Sequence, residues 1–437
     1  MTIFKRRLPS INLPHYKNTM NLATEKMPVP HKIVISMSQH IGKSCTPLVK
    51  VGDTVKVGQI IGDSKELISS PIHSSVSGEV IDIDKILAAS GISNEVVIIK
   101  PDGQQDIHPT IKPPKINNHE QFLQAVRNCG LVGLGGAAFP AHVKYSPKNL
   151  HEVDTLIING AECEPFITSD YRNMMEESEN IFHGIKEIMN YLEIANCYIG
   201  IEKNKPAAIE KFRELSRDLP QIKIVPLRND YPQGAERVLI YETTGKILTL
   251  GHLPADIGVI VSNITTVETL GNYLKTGMPL ISKKITVDGP AVSNPKNIEV
   301  LIGTLIMDVI EFCGGYKKKP RKIIMGGPMM GRSIYSDQTP IIKHNNAILV
   351  FDETWAYLPK ESACINCARC AFACPMGLYP MKINKAYKKG DLDELLEHDT
   401  LLCIECGCCS YVCPAKIQVS FINSAAKELV RKGEQPS

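Results

Sequence analysis

The sequence predicts a multidomain α/β chain, and three features predict it. Short Val- and Ile-rich runs separated by turn signals fill residues 31–100. From residue 119 onward apolar strands alternate with amphipathic helices, the rhythm of a Rossmann-like domain. Near the C-terminus two cysteine runs share one internal spacing. In order, these give an arm over 1–30, an N-terminal β sandwich-hybrid domain over 31–100, a Rossmann-like domain over 119–278, a small β domain over 279–335 and a helical cysteine-rich domain over 355–430.

Length and composition bound the function. A chain of 437 residues suits two to four domains. Forty-nine basic residues against 46 acidic ones leave a net charge of +3, which offers no footprint for nucleic acid. No uninterrupted apolar run is long enough to predict a membrane-spanning helix. The start MTIFKRRLPS is basic but lacks the apolar stretch of a signal peptide.

Residues 1–30 are polar, proline-bearing and irregular. KIVISM, PLVKVGDTVKVGQIIGDS, HSSVSGEVIDI and EVVIIK then read as strands, with Gly52-Asp53 as a turn. The pattern resembles a lipoyl-carrier sandwich. Lys65 follows Gly58-Gln59 too closely for a swinging-arm lysine, so the unit reads as structural. His40 and His73 read as polar or capping residues, and Cys45 as a buried thiol.

A Pro/Asn/Gly-rich linker over 101–118 leads to the helix EQFLQAVRNCG, with Phe122, Val126 and Cys129 on one face. Gly133-Leu134-Gly135-Gly136-Ala137-Ala138-Phe139-Pro140 follows. Its glycines let a backbone approach a ligand closely, its N–H groups can cradle a phosphate, and Lys144 is placed to neutralise one. DTLIINGAECEPFITSDYR reads as a buried parallel strand over 154–159 whose carboxyl end carries Asn159, Glu162 and Glu164, where α/β folds bind ligands. A helix over 174–193, the strand CYIGIE, a helix over 206–217 and the strand IKIVPL continue the alternation. ERVLIYETTG and IGVIVSN close the domain. Asp170 and Arg172 read as a local ion pair, and Cys163 as a packed thiol. KITVDG then begins the small β domain, with a helix over 305–312 and the turn RKIIMGGPMMG; Met325, Met329 and Met330 read as packing.

Nine of the fourteen cysteines lie between Cys364 and Pro414, as CINCARCAFACP and CIECGCCSYVCP. Each half is Cys-x2-Cys-x2-Cys-x3-Cys-Pro, the bacterial ferredoxin spacing for a [4Fe–4S] cluster. Zinc needs four ligands in all rather than four in each run, and disulfides suit short secreted scaffolds. By similarity to two-cluster ferredoxins, Cys364, Cys367, Cys370 and Cys413 would hold one cluster. Cys403, Cys406, Cys409 and Cys374 would hold the other. Cys408 is spare. Such ligands argue for a reducing, cytoplasmic compartment. Trp355 and Tyr357 precede the runs as candidate shields. A helix is expected to about Arg431, then a frayed end.

GLVGLGGAAFPAHVK followed by IINGAECEPFITSDYR is similar to the flavin- and NADH-binding subunit of respiratory complex I. It resembles more closely the RnfC family, the corresponding component of the Rnf electron transport complex, over nearly the whole chain. The resemblance implies FMN over Gly133, Gly135 and Gly136, with Lys144 and Asn159 nearby. Phe139 would lie near the nicotinamide, Glu162 on the flavin side and Glu164 on the NADH side. Tyr231, Gly234 and Glu236 match Tyr-x-x-Gly-Glu-Glu of the complex I family, and Thr269 a later flavin contact. The small domain resembles the SLBB β-grasp module of both families, acting as a spacer.

The implied cofactors are FMN, NAD(H) and two [4Fe–4S] clusters. The implied partners are other redox or membrane subunits, and ferredoxin, at the inner face of the cell membrane. The sequence departs from the complex I pattern at Ala161 and Ala235, where acids are expected. Phe4-Lys5-Arg6-Arg7-Leu8-Pro9 replaces an RnfC Gly-Gly-x-His-Pro element. Two other functions stay open: a soluble RnfC-like reductase serving cobalamin or a substrate reductase, and a cluster relay without a nucleotide site.

Overall fold

A computed structural model describes residues 7–87 and 91–433. Phe4, Lys5 and Arg6, and the expected frayed end over 434–437, lie outside the described residues.

At the centre is a parallel sheet. Its strands run in the order Ile222–Leu227, Asn196–Glu202, Thr155–Gly160 and Val259–Asn263. The Thr155–Gly160 strand explains why the sheet is parallel and covered on both faces. Leu156 and Ile158 enter one apolar core and Ile157 the other, so both faces demand helices. In chain order the four strands sit 3-2-1-4. The order therefore reverses between Thr155–Gly160 and Val259–Asn263, and a crevice opens at their carboxyl ends.

The helix expected over 174–193 is two helices, Ser169–Glu176 and Ser178–Tyr191, broken at Glu177. Lys284 holds the break by pairing with both Glu176 and Glu177. Asp170 and Arg172 do not pair. Arg172 bonds Glu176 one turn on, while Asp170 accepts from Asn263 and Thr265. The expected pair loses because Asp170 is buried against the next helix start.

The N-terminal unit packs a four-stranded sheet against a three-stranded one around Ile33, Ile35, Val55, Ile61 and Val80. Lys65 is exposed in a bend. His40 and His73 are buried, and His40 Nε2 lies 3.4 Å from Cys45 Sγ.

The β-grasp sheet has six strands and draws on chain beyond 279–335. Its order is Glu25–Lys26, Lys296–Leu301, Ser282–Asp288, Ala347–Phe351, Lys322–Met325 and Arg332–Ile334. One edge strand thus comes from the arm, and an inner one follows residue 335. The arm is not irregular throughout. Ile11 and Leu13 are buried, and the Ile11 backbone exchanges two hydrogen bonds with Tyr231, each 2.9 Å.

In the C-terminal domain the doubling of sequence is a doubling of backbone. Asn366 and Ala368 in the first run, and Glu405 and Gly407 at matching places in the second, all have left-handed φ between 54° and 79°. These twists precede the short helices Arg369–Phe372 and Cys408–Tyr411 and turn the loop sulfurs inward. Trp355 packs on Phe166, Phe351 and Tyr16, and Tyr357 is exposed. Met325 is buried and Met329 packs beside Cys406, but Met330 is exposed and does not pack as expected.

Candidate functional site

The crevice is built from three chain segments. Asn159 and Asn263 are direct neighbours across the two strand ends. Asn159 Nδ2 donates to the Gly234 carbonyl at 2.9 Å, and its side-chain oxygen accepts from the Ala161 amide. Asn263 caps the helix Ile264–Thr276, accepting from the Thr265 and Thr266 amides, and donates to Asp170 at 2.8 Å. A Cβ on Gly234 would stand 3.0 Å from the Ala161 carbonyl.

The glycine loop leans over this crevice. Its base is tied: Gly133 N–H donates to the Phe139 carbonyl, and Ala138 N–H to Gly133. The Leu134 amide donates to Thr266, and its carbonyl accepts from the buried Lys283 at 2.8 Å. The tip is left free. Gly135, Gly136 and Ala137 are exposed, and Gly136 has φ +117° with open space where a Cβ would be. A Cβ on Gly135 would press to 3.2 Å on Asn263. Such a tip presents bare amides to an anion. Phe139 is half-buried at the base. Lys144 reaches Glu236 at 3.0 Å, joining two of the expected residues at one edge.

Two expected acids take different surroundings. Glu162 is buried; its Oε1 accepts from the Asp170 amide and its Oε2 has no partner. Burial pushes its carboxyl up to about 7, with Lys17 opposing the rise. Glu164 accepts from the Met329 and Met330 amides at 3.0 and 2.9 Å, so the β-grasp turn holds it. Burial raises it also to about 7. Thr269 lies away from the glycine tip's contacts. Its hydroxyl donates to the Thr265 carbonyl within its own helix. One turn earlier, Thr266 accepts from the Leu134 amide of the glycine loop.

The cysteines gather into two rings. Cys364, Cys367, Cys370 and Cys413 line one cavity, with Arg369, Tyr379, Lys382 and Lys385 at its rim. Cys374, Cys403, Cys406 and Cys409 line a second, along with Cys408. Each ring takes three sulfurs from one run and the fourth from the other. Among the described residues no three His, Cys, Asp or Glu side chains converge closely enough for a single metal ion. Rings of four cysteine sulfurs suit the thiolate ligation of an iron–sulfur cluster.

Tyr231 joins the two regions. Its hydroxyl is buried and donates to the Cys406 carbonyl at 2.8 Å. The second ring therefore abuts the crevice domain. The first lies outward, with Cys367, Ile365 and Phe372 exposed.

Sequence reasoning missed Asn263, Thr265, Thr266, Lys283 and Lys17. SNITT after an apolar strand is an N-cap signal that could have found the first three. Nothing local marks the two lysines.

A fold with a nucleotide-type crevice and paired sulfur rings defines a flavin and iron–sulfur class of electron-transfer proteins, and the family models agree. Residues 126–272 match the Nuo51 FMN-binding domain, 9–104 the RnfC barrel sandwich hybrid domain, 284–333 the SLBB domain and 363–417 the 4Fe-4S dicluster domain. The chain is 41% identical over 389 residues to the RnfC protein of the proton-translocating ferredoxin:NAD(+) oxidoreductase complex of Clostridium ljungdahlii, covering 88% of this chain and 85% of that one. It is 40% identical to the RnfC protein of the Na(+)-translocating ferredoxin:NAD(+) oxidoreductase complex of Acetobacterium woodii, covering 81% of each. Identity is 38% to the RnfC protein of the ion-translocating oxidoreductase complex of Rhodobacter capsulatus, covering 87% and 74%. A chain of an NAD+-reducing [NiFe]-hydrogenase superposes with a TM-score of 0.49 at 18% identity, covering 76% of this chain and 64% of that one. The chain belongs to the RnfC family, whose members are subunits of ion-translocating oxidoreductase complexes.

Proposed function

We propose that this chain carries electrons between NAD(H) and two [4Fe–4S] clusters by way of FMN, as the RnfC component of an Rnf-type ferredoxin:NAD+ oxidoreductase complex. The observation that carries the reading is the junction at Tyr231, where the crevice domain is bonded to the second sulfur ring. FMN, held there, would supply the conversion between a two-electron hydride and single electrons that neither nicotinamide nor cluster offers alone.

The residues present fit these groups. The exposed tip at Gly135 and Gly136 offers amides to the FMN phosphate, with Lys144 alongside. Asn159 and Asn263 floor the crevice. The Oε2 of Glu162 is a buried polar atom with no partner among the described residues. Cys364, Cys367, Cys370 and Cys413 would hold one cluster; Cys374, Cys403, Cys406 and Cys409 would hold the other. Glu164, bound by two amides, shapes the loop on the nicotinamide side.

The outward ring gives the partner side. From Ala363 to Gly390 the chain has Arg369, Lys382, Lys385, Lys388 and Lys389 and no acidic residue. No described helix is long and apolar enough to cross a membrane. Attachment to the inner face of the cell membrane is proposed to come through partner subunits.

Anaerobic purification with iron, sulfide and flavin quantification tests the reading. About eight irons and one FMN per chain, with flavin absorbance bleached by NADH, are expected. Zinc in place of iron, or bound flavin that NADH leaves unbleached, would overturn it.

A further inference from the structure

The arm reaches the crevice through one side chain. Lys17 Nζ donates to the carbonyls of Glu162, Glu164 and Ile167 at 2.7, 2.9 and 2.5 Å. An ammonium has three N–H donors, and one loop takes all three. That loop links the strand Thr155–Gly160 to the helix Ser169–Glu176 and carries both site glutamates. The arm is fastened on either side of Lys17. Tyr16 stacks on Phe166 at 4.9 Å, the Phe166 amide donates to the His15 carbonyl, and Thr19 shares a hydrogen bond with Thr168.

We propose that Lys17 is a positioning residue for the FMN and nicotinamide site. It fixes the conformation of the 162–167 loop and sets a cation against the Glu162 carboxylate. The proposal rests on the flavin reading above.

The charged groups acting on Glu162 come from three elements, and His15 on the arm lies against Lys17, Glu202 and Lys205. Lys17 comes from the arm, Asp170 from the following helix, and Lys205 from the turn after the neighbouring strand. Glu202 lies behind them, accepting from the Glu162 amide and pairing with Lys205. Lys205 is thus already paired with Glu202, and Asp170 opposes ionisation. Among the described residues Lys17 forms no ion pair, and the carboxylate that acts on it most strongly is Glu162. Removing it leaves burial and Asp170 in control, and Glu162 then ionises at higher pH.

The test is FMN binding to the full chain, followed by quenching of flavin fluorescence between pH 5.5 and 9. The unchanged chain should show an inflection near neutral pH that Glu162→Gln abolishes. Lys17→Met and Lys17→Gln should each move it up by about one pH unit or more. Gln keeps two N–H donors for the loop carbonyls and stands in should the Met chain fail to fold. Lys17→Arg should leave the inflection in place. Lys17→Met should also weaken FMN about tenfold. A residue that merely packs would change affinity and leave the inflection where it was. That outcome, with flavin bound, overturns the role of Lys17 and spares the flavin reading. If the unchanged chain binds no FMN, the flavin reading fails and takes this proposal with it.

Discussion

Glu164 is gripped from a different domain, and Gly327 makes the grip fit. A Cβ on Gly327 would stand 2.3 Å from the Glu164 carboxylate, which the Met329 and Met330 amides already bind. Gly327→Ala must therefore push Glu164 off two N–H donors. The expected cost is about 1–3 kcal/mol, because buried polar groups are left unmatched. Urea denaturation measures it, and an unmoved midpoint would mean that the carboxylate swings aside freely. Tyr231 is a second such residue. The complex I resemblance makes it a cofactor-site residue, and its hydroxyl donates to the Cys406 carbonyl while its backbone pairs with Ile11.

Among the elements, the helix Ile264–Thr276 does two jobs. Its start caps the crevice through Asn263, and its next turn carries the half-buried Glu268 near Glu177, Glu299 and Lys284. Burial first, then Glu177, raises Glu268 to about 7. The folded chain thus holds a proton between pH 4.5 and 7 that the unfolded chain releases. Stability from this group is lost as pH rises through that window. Glu268→Gln should stabilise the chain at pH 8 by about 1–3 kcal/mol and change little at pH 4.5. Equal effects at both pH values, by thermal unfolding, would contradict this.

The strands and most helices were legible because their signals are local. Leu156, Ile157 and Ile158 form a continuous apolar run, and Gly245 ends the helix Glu236–Thr244 at φ 80°. The break at Glu177 was not legible, since Lys284, from another domain, holds it.

At the scale of the molecule, the sulfur rings were the most readable part, because a three-residue pitch is written in one short stretch. The links between domains were not. Lys17 lies 145 residues from Glu162, Lys283 149 from Leu134, and Tyr231 175 from Cys406. No pattern within a single window reports contacts at that separation. Cysteine substitutions separate the rings. Cys367→Ser should deplete one cluster's spectroscopic signal ahead of the other, whereas Cys408→Ala, outside the two sets of four, should keep all eight irons. Full iron in the former or half in the latter would reassign the ligands. The exchange of Cys374 and Cys413 between rings also bears on biogenesis. On the proposed ligand sets, a nascent chain that has delivered only the first run would own a cage with one wall missing, and a spare sulfur for a neighbour not yet made. Maturation would then be a joint event for both cages, and oxidative loss of either Cys374 or Cys413 would open the cage belonging to the opposite run.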